Sequence, residues 1–176
     1  MKAFSTPEYH GVWFDYEGDR LSFRACVQNY LRENLNDPKG ALLVDGFGPR
    51  WEGEMRITLS YSHTEGKAIL VHSNTHALGV DLECEDRAFS LTPLELATRF
   101  FHSSESDALQ KMQANFQKDY FLKLWVKKEA YAKWTRLGLG KTLGHALTQI
   151  EGCKMLALPV VPKGYLGAVA FSKIAR

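Results

Sequence analysis

The chain has 176 residues, of which 45% are hydrophobic, enough for one large domain or for two small halves that share a core. Its 22 basic and 20 acidic side chains give a formal net charge of +2, which argues against nucleic acid as a partner. The three cysteines are widely spaced and form no Cys-x-x-Cys pair, so we expect no disulfide framework and no thiolate zinc site, and a reducing, cytoplasmic setting is favoured.

The N-terminal stretch MKAFSTPEYHG contains no apolar core of signal-peptide length. No apolar run elsewhere reaches the ~18–20 residues that a membrane span needs. We therefore expect a soluble protein that does not contact membranes.

The first half of the chain predicts strands around one helix. Asp19 is a suitable N-cap for an amphipathic helix over 20–35, which ends near Pro38. The short turns at 64–66 and 73–75 predict an antiparallel meander. The predicted strands cover residues 9–16, 41–44, 56–62, 67–72 and 77–83, and the glycine-rich stretch 46–53 is predicted to be a turn region.

The second half predicts helices followed by strands. Thr92 can cap a helix over 93–101, and Ser103 or Ser104 can cap the next one, over 105–112. A long helix follows, with apolar residues nearly all the way round, and strands are expected near 146–150, 155–158 and 165–171. This order of elements predicts an α+β fold, with the nearest internal boundary at the turn over 73–76.

The long predicted helix, 116–139, carries charges in its middle although most of its surface is apolar. Glu129 and Lys133 are four residues apart and project from one face, and Lys128 borders that face. Charges on an enclosed helix are costly unless they are paired or bound. Two interpretations remain open: a structural Glu129–Lys133 ion pair, or contact with a metal ion or a phosphate.

Asp81 and Glu83 lie in the predicted strand LGVDLE, where alternation turns both carboxylates to the same face. Two carboxylates about 6–7 Å apart along a strand repel each other unless a cation lies between them. Mg²⁺ takes one or two protein carboxylates together with phosphate and water, and Glu129 would suit such a site as a third acid. The alternative is an ordinary solvated strand face.

Further candidates for anion binding lie elsewhere. Ser62 and His63 end a predicted strand and could contact an anion, although such residues more often form turns. Arg20, Arg24 and Arg32 lie along the first helix, where a solvated face is favoured over a lining for a polyphosphate.

Two other motifs are poor matches to known sites. His72 and His76 are four residues apart but flank a β-turn, so they do not predict a zinc site. The stretch Gly138-Leu139-Gly140-Lys141-Thr142 follows a helix and lacks the first glycine of a phosphate-binding loop.

Four stretches occur in an order that resembles one protein family. They are GPRWEGEMRITLSYSHT, ALGVDLE, ATRFFHSSE and LWVKKEAYAKWTRLGL, which together span roughly residues 48–139. The ordered set resembles the 4′-phosphopantetheinyl transferase superfamily, and within it the larger type that activates siderophore and surfactin synthetases. The region before residue 46 matches poorly, and Arg136 stands where the family usually has glycine.

The resemblance implies both a fold and a reaction. The fold has two pseudo-related α+β subdomains in one compact unit, with antiparallel sheets and a long buried helix; here these would be 1–75 and 76–176, the second carrying a metal site. The reaction moves the 4′-phosphopantetheine arm of coenzyme A onto a serine of an apo acyl or peptidyl carrier protein. It uses Mg²⁺ and releases adenosine 3′,5′-bisphosphate, and we expect a monomer.

The resemblance also implies roles for individual residues. Asp81, Glu83 and Glu129 match the metal-binding acids, and Glu105 matches an auxiliary acid near the metal. Glu129, directly or through a bound water, is our first choice as the proton acceptor.

The basic residues implied by the resemblance would contact coenzyme A. Lys133 matches the lysine that contacts phosphate, and Lys128 is a further candidate for that contact. His63 matches a histidine that contacts coenzyme A, with Ser62 beside it, and Arg50 is the candidate for a basic residue that precedes them.

Two other functions are alternatives. The protein could be a different Mg²⁺-dependent phosphoryl-transfer enzyme that uses the same acids, or a non-catalytic module that retains the fold and binds a carrier protein.

Overall fold

The computed structural model describes residues 1–46 and 48–174, which fold into α-helices and antiparallel sheets. The strands are β1 (Lys2–Ser5), β2 (His10–Tyr16), β3 (Ala41–Asp45), β4 (Gly48–Glu52), β5 (Thr58–Thr64), β6 (Gly66–Ser73), β7 (His76–Cys84), β8 (Lys154–Ala157) and β9 (Tyr165–Lys173). The α-helices are α1 (Arg20–Asn34), α2 (Pro93–Phe100), α3 (Ser103–Gln110), α4 (Ala114–Thr135) and α5 (Leu139–Thr142).

Three sheets contain these strands. The first has the order β1-β2-β6-β5, the second is the β3-β4 hairpin, and the third has the order β7-β9-β8. Every pairing is antiparallel, which confirms the predicted α+β class with antiparallel sheets. The division into subdomains at 1–75 and 76–176 stays a prediction. None of the described helices combines the length and the hydropathy that a bilayer crossing requires.

The predicted meander stops at β6, because β7 pairs with β9 and not with β6. The turn before β7 is held by Ser73, whose hydroxyl donates to the Glu8 carbonyl at 2.6 Å and accepts the His76 N–H at 3.1 Å. These bonds direct the chain into the third sheet instead of a hairpin.

Side-chain hydroxyls join the neighbouring edge strands β5 and β7. The Val80 N–H donates to Ser60 Oγ at 3.0 Å, and Ser62 Oγ donates to Asp81 Oδ1 at 2.8 Å. Thr58 Oγ1 donates in the same way to the His76 carbonyl. We refer to these three contacts between the first and third sheets as the hydroxyl seam.

The long helix α4 packs against the third sheet. Val126 and Ala130 of α4 form a buried cluster with Ala168 and Ala170 of β9. Other α4 residues pack in a second cluster with α2 and α3, so apolar residues lie on several sides of this helix. The helix ends at Thr135, earlier than the predicted Leu139, because Arg136 adopts a left-handed conformation with φ 58°.

Other local predictions were also wrong. Residues 48–52 of the predicted turn region form β4, whose pairing with β3 buries Trp51, while Phe47 lies outside the described residues. The expected strand near 146–150 is a 3₁₀ turn, Leu147–Gln149, because its first N–H is bound by the side chain of Glu105. The cap of α3 is His102, whose ring nitrogen accepts the Ser104 N–H. The prediction also missed β1.

Gly79 sets the distance between β7 and α4. A Cβ at this position would lie 2.1 Å from the carbonyl oxygen of Ala130 and 2.4 Å from the backbone nitrogen of Trp134. Both are backbone atoms of a helix and cannot move aside singly, so α4 can approach β7 this closely only where the strand has no side chain.

Gly79→Ala is therefore expected to lower the free energy of unfolding by about 2–3 kcal/mol, because the added methyl group forces α4 away from β7. Urea denaturation measures the change. Gly140→Ala is the matched control, since a Cβ there has no neighbour within 4 Å, and its effect should stay within about 0.5 kcal/mol. Equal stability of the two variants would contradict the proposed close approach.

Candidate active site

Three carboxylates meet where α4 crosses β7. Asp81 and Glu83 project from the same side of β7, and Glu129 projects toward them from α4. Each of the three offers an oxygen atom, and these atoms all lie within 4.8 Å of one another. Asp81 and Glu83 are only 2% and 6% exposed, so little water separates the charges. The structure therefore brings Glu129 to Asp81 and Glu83, from which it is distant in the sequence.

Asp81 is held in place by two donors and still has an oxygen to spare. Its Oδ1 accepts bonds from Ser62 Oγ and Lys133 Nζ, both at 2.8 Å. Its Oδ2 is buried and has no hydrogen-bond partner among the described residues. A buried carboxylate oxygen without a partner, beside two further acids, suits a hard cation such as Mg²⁺.

The structural ion pair considered for α4 is not formed. Lys133 reaches across to Asp81 and does not pair with Glu129 four residues before it. Burial and the nearby charge of Asp81 raise the pKa of Glu129 from its ordinary value of 4.5 to about 7, although Lys133 and Arg87 act in the opposite direction. Glu129 is thus poised to exchange a proton near neutral pH.

A cleft of about 440 Å³ opens above the three acids. Its walls come from α1, β5, β7 and α4, and its lining residues besides the acids are Arg20, Phe23, Arg24, Tyr61, Ser62, His63, Leu82, Arg87 and Lys133. Basic side chains therefore surround an acidic floor, which is an arrangement suited to a cation bound together with a phosphate ligand.

The arginines of α1 divide into two groups. Arg20 and Arg24, one helical turn apart, both line the cleft, Arg20 as an exposed residue and Arg24 as a half-buried one, so the solvated face and the polyphosphate lining both stay open for them. Arg32 has a structural contact, since its Nε donates to the Gly40 carbonyl at 2.8 Å. The spacing of four residues between Arg20 and Arg24, which puts both on one helix face, was the sequence signal that they face the same cleft.

His63 forms part of the cleft wall as an uncharged ring. It stacks on Tyr16 with ring centroids 4.4 Å apart. Burial lowers its pKa below the ordinary value, and the charges of Arg20 and Lys133 lower it further. A neutral imidazole can donate a hydrogen bond to a ligand from one ring nitrogen.

The structure does not bring Lys128 or Glu105 into the cleft. Lys128 is fully buried, and its Nζ donates to the carbonyls of Leu143 and His145 and pairs with Glu105 Oε2, each at 2.7 Å. The other carboxylate oxygen of Glu105 accepts the Leu147 N–H at 2.9 Å. These contacts tie the segment after α5 to α3 and α4. Lys128 therefore points away from the helix face that carries Glu129.

Arg50 also lies apart from the cleft. It is on β4, its side chain is 52% exposed, and its Nε is 3.6 Å from Asp45 Oδ2.

Arg87 was missed by the sequence reasoning although it lines the cleft and pairs with Glu83. Its position four residues after Glu83 carried no recognisable pattern, because a loop and not a helix connects the two residues.

Comparison with known proteins agrees with this geometry. Residues 77–156, which contain all three acids and Lys133, match the family model of the 4′-phosphopantetheinyl transferase superfamily. This part of the chain is therefore similar to that superfamily. The superfamily is the one that the sequence motifs resemble, whereas the larger siderophore and surfactin type stays a prediction.

Two curated relatives carry the same name. The 4′-phosphopantetheinyl transferase HetI of Nostoc sp. (strain PCC 7120) is 31% identical over 108 residues, which is 60% of this chain and 45% of the relative. A 4′-phosphopantetheinyl transferase of Bacillus subtilis is 30% identical over 92 residues, which is 51% of this chain and 37% of the relative. The matches thus cover less than half the length of either relative.

The pKa of Glu129 predicts how stability depends on pH. The folded protein binds this proton more tightly than the unfolded chain, so between pH 4.5 and about 7 the folded state carries more protons. The free energy of unfolding therefore falls as the pH rises through this window, with at most about 3 kcal/mol due to Glu129.

Urea denaturation at a series of pH values, in the presence of a chelator, measures this dependence. The unfolding free energy of Glu129→Gln should change less with pH than that of the wild type, whereas Asp119→Asn on the exposed face of α4 should match the wild type. Parallel curves for wild type and Glu129→Gln would refute this assignment.

Lys128 is expected to act on stability. Lys128→Met leaves the Glu105 carboxylate buried without its partner, which should cost about 3–5 kcal/mol of unfolding free energy. The exposed ion pair of Lys123 provides a control, since Lys123→Met should cost less than about 1 kcal/mol. Chemical denaturation compares the two, and a second change, Glu105→Gln, should recover part of the loss. An unaltered denaturation midpoint for Lys128→Met would contradict the structural role.

Proposed function

We propose that this protein transfers the 4′-phosphopantetheine arm of coenzyme A to a serine of an apo acyl or peptidyl carrier protein, and that it acts in the cytoplasm as a monomer of the larger superfamily type. The reaction requires Mg²⁺ and releases adenosine 3′,5′-bisphosphate. The observation that carries this proposal is the meeting of three acids, two buried and one half-buried, with Lys133 on the floor of a cleft with basic walls.

Asp81, Glu83 and Glu129 would hold the metal ion. The fit rests on the unpartnered Oδ2 of Asp81 and on the unfavourable crowding of three carboxylates, which a divalent cation relieves. When bound, Mg²⁺ offsets negative charge on the diphosphate of coenzyme A.

The walls of the cleft would bind the charged end of coenzyme A. Arg20 and Arg24 supply positive charge for its phosphates, and the neutral ring of His63 supplies a hydrogen-bond donor. Lys133, which already reaches the floor of the cleft, stabilises the negative charge that builds on the leaving phosphate.

A second cleft would bind the uncharged arm. It has a volume of about 330 Å³, shares Tyr61, Glu129 and Lys133 with the first cleft, and has apolar walls that include Leu59 and Leu139. Its contact with the same acid and the same lysine supports an arrangement in which the two ends of coenzyme A would lie on either side of the reacting diphosphate.

The chemical step then needs one proton acceptor. The serine oxygen of the carrier attacks the phosphorus next to the pantetheine arm, and the bond from that phosphorus to the bridging oxygen breaks. Glu129, directly or through a bound water, is the group that takes the serine proton. The bridging oxygen leaves on the 5′-phosphate of adenosine 3′,5′-bisphosphate.

The direct test incubates the purified protein with fluorescent coenzyme A, Mg²⁺ and a panel of apo carriers, and weighs the products by mass spectrometry. We expect a carrier heavier by one fluorescently labelled phosphopantetheine group. Asp81→Ala and Lys133→Ala should each reduce the rate at least ~100-fold, because each removes charge stabilisation at the reacting phosphate. The control is Asp119→Ala, which removes one partner of the exposed Lys123–Asp119 ion pair of α4 and should retain the wild-type rate.

Other outcomes identify the alternative functions. Phosphate release from coenzyme A without a carrier would indicate a different phosphoryl-transfer enzyme. Carrier binding that is independent of Mg²⁺ and coenzyme A, without any mass change, would indicate a non-catalytic module. Full transfer by Asp81→Ala would refute the metal assignment.

A further inference from the structure

Arg87 is the cationic group of the cleft that has no role in the function proposed above. It lies in the loop after β7, and its guanidinium pairs with the carboxylate of Glu83. Glu83 is its one polar side-chain partner among the described residues, so most of the five N–H donors of the guanidinium are not used by the protein.

An aromatic shelf holds Arg87 in position without using its donors. Its Cζ lies 4.9 Å from the centre of the Phe89 ring and 5.6 Å from that of the Trp125 ring. Phe89 itself packs edge-on against the buried Phe121, with ring centroids 5.4 Å apart, so the shelf is anchored in the core. These cation–π contacts hold the guanidinium on the shelf and leave its N–H donors for a ligand.

Arg87 and Lys133 flank the acids along β7. Lys133 binds Asp81, and Arg87 binds Glu83 two residues further along the same strand. Three carboxylates thus face two cationic side chains. A divalent ion bound to the acids makes the whole group net positive, so both side chains become available to an anionic ligand that bridges the site.

We propose that Arg87 is a substrate-binding residue that exchanges Glu83 for a phosphate oxygen of the coenzyme A diphosphate, opposite Lys133. This inference rests on the proposed function and adds a contact to it. Before the substrate arrives, Arg87 occupies the carboxylate that the cation needs, and afterwards its planar fork matches two phosphate oxygens.

The test measures binding without any carrier protein. Arg87→Met removes the charge and keeps an apolar stem on the shelf, and Arg87→Lys keeps the charge and loses the fork. Arg99→Met is the matched control, because Arg99 stacks on Phe100 on the exposed side of α2, outside the cleft. Titration calorimetry gives the Kd of coenzyme A in saturating Mg²⁺, and the Kd of Mg²⁺ alone.

We expect the Kd of coenzyme A to rise ~10–100-fold in Arg87→Met, by less in Arg87→Lys, and not at all in Arg99→Met. The Kd of Mg²⁺ alone should stay the same or fall in Arg87→Met, because Glu83 loses its competing partner. Weaker Mg²⁺ binding would instead mean that Arg87 only positions Glu83, and this would overturn the inference.

The remaining outcomes separate the inference from the function on which it rests. Unchanged affinity of Arg87→Met for coenzyme A would overturn the role of Arg87 while leaving the proposed transferase intact. Failure of the wild type to bind coenzyme A with Mg²⁺ would overturn both. Binding of coenzyme A that depends on Arg87, without transfer to any carrier, would support the contact and refute the transferase.

Discussion

Three carboxylates lie within 4.8 Å of one another at the contact between α4 and β7, where burial denies them the solvation that usually separates like charges. The contact is close because Gly79 presents no side chain to the helix backbone. The polar neighbours of the acids compensate for this crowding: Ser62 and Lys133 bind Asp81, Arg87 binds Glu83, and Glu129 retains a proton to near neutral pH. Lys133 and Arg87 also line the cleft above the acids, so the same partners contribute to its positive charge.

Two adjacent residues of α4 show how differently buried charges can be used. Lys128 has every donor satisfied by Glu105 and two carbonyls, which is the arrangement expected of a structural ion pair. Glu129, on the neighbouring face, lies among other acids with its charge poorly compensated. Poor compensation is costly for folding and is common where a ligand completes the site. The helix therefore has one charge that serves the fold and one that is available for chemistry.

The sequence was informative where the pattern is local. The alternation around Asp81 and Glu83 placed both carboxylates on one side of a strand, and the spacing of Glu129 and Lys133 placed both on one helix face. It was uninformative where long-range contacts decide. The strand that pairs with β7 is β9, which lies about 90 residues later in the chain, and the burial of Lys128 depends on carbonyls beyond α5. The role of Arg87 was equally invisible, because a loop sets its direction.

The hydroxyl seam has a consequence for how ligands affect the molecule. Side-chain bonds of Thr58, Ser60 and Ser62 join the first and third sheets where a continuous ladder of backbone bonds could have run. The cleft straddles this junction, since α1 and β5 lie on one side of it and β7 and α4 on the other. Any molecule that fills the cleft therefore acts as a non-covalent crosslink between two layers that share few backbone bonds. Occupancy should strengthen the cohesion of the whole protein as well as the order of the cleft.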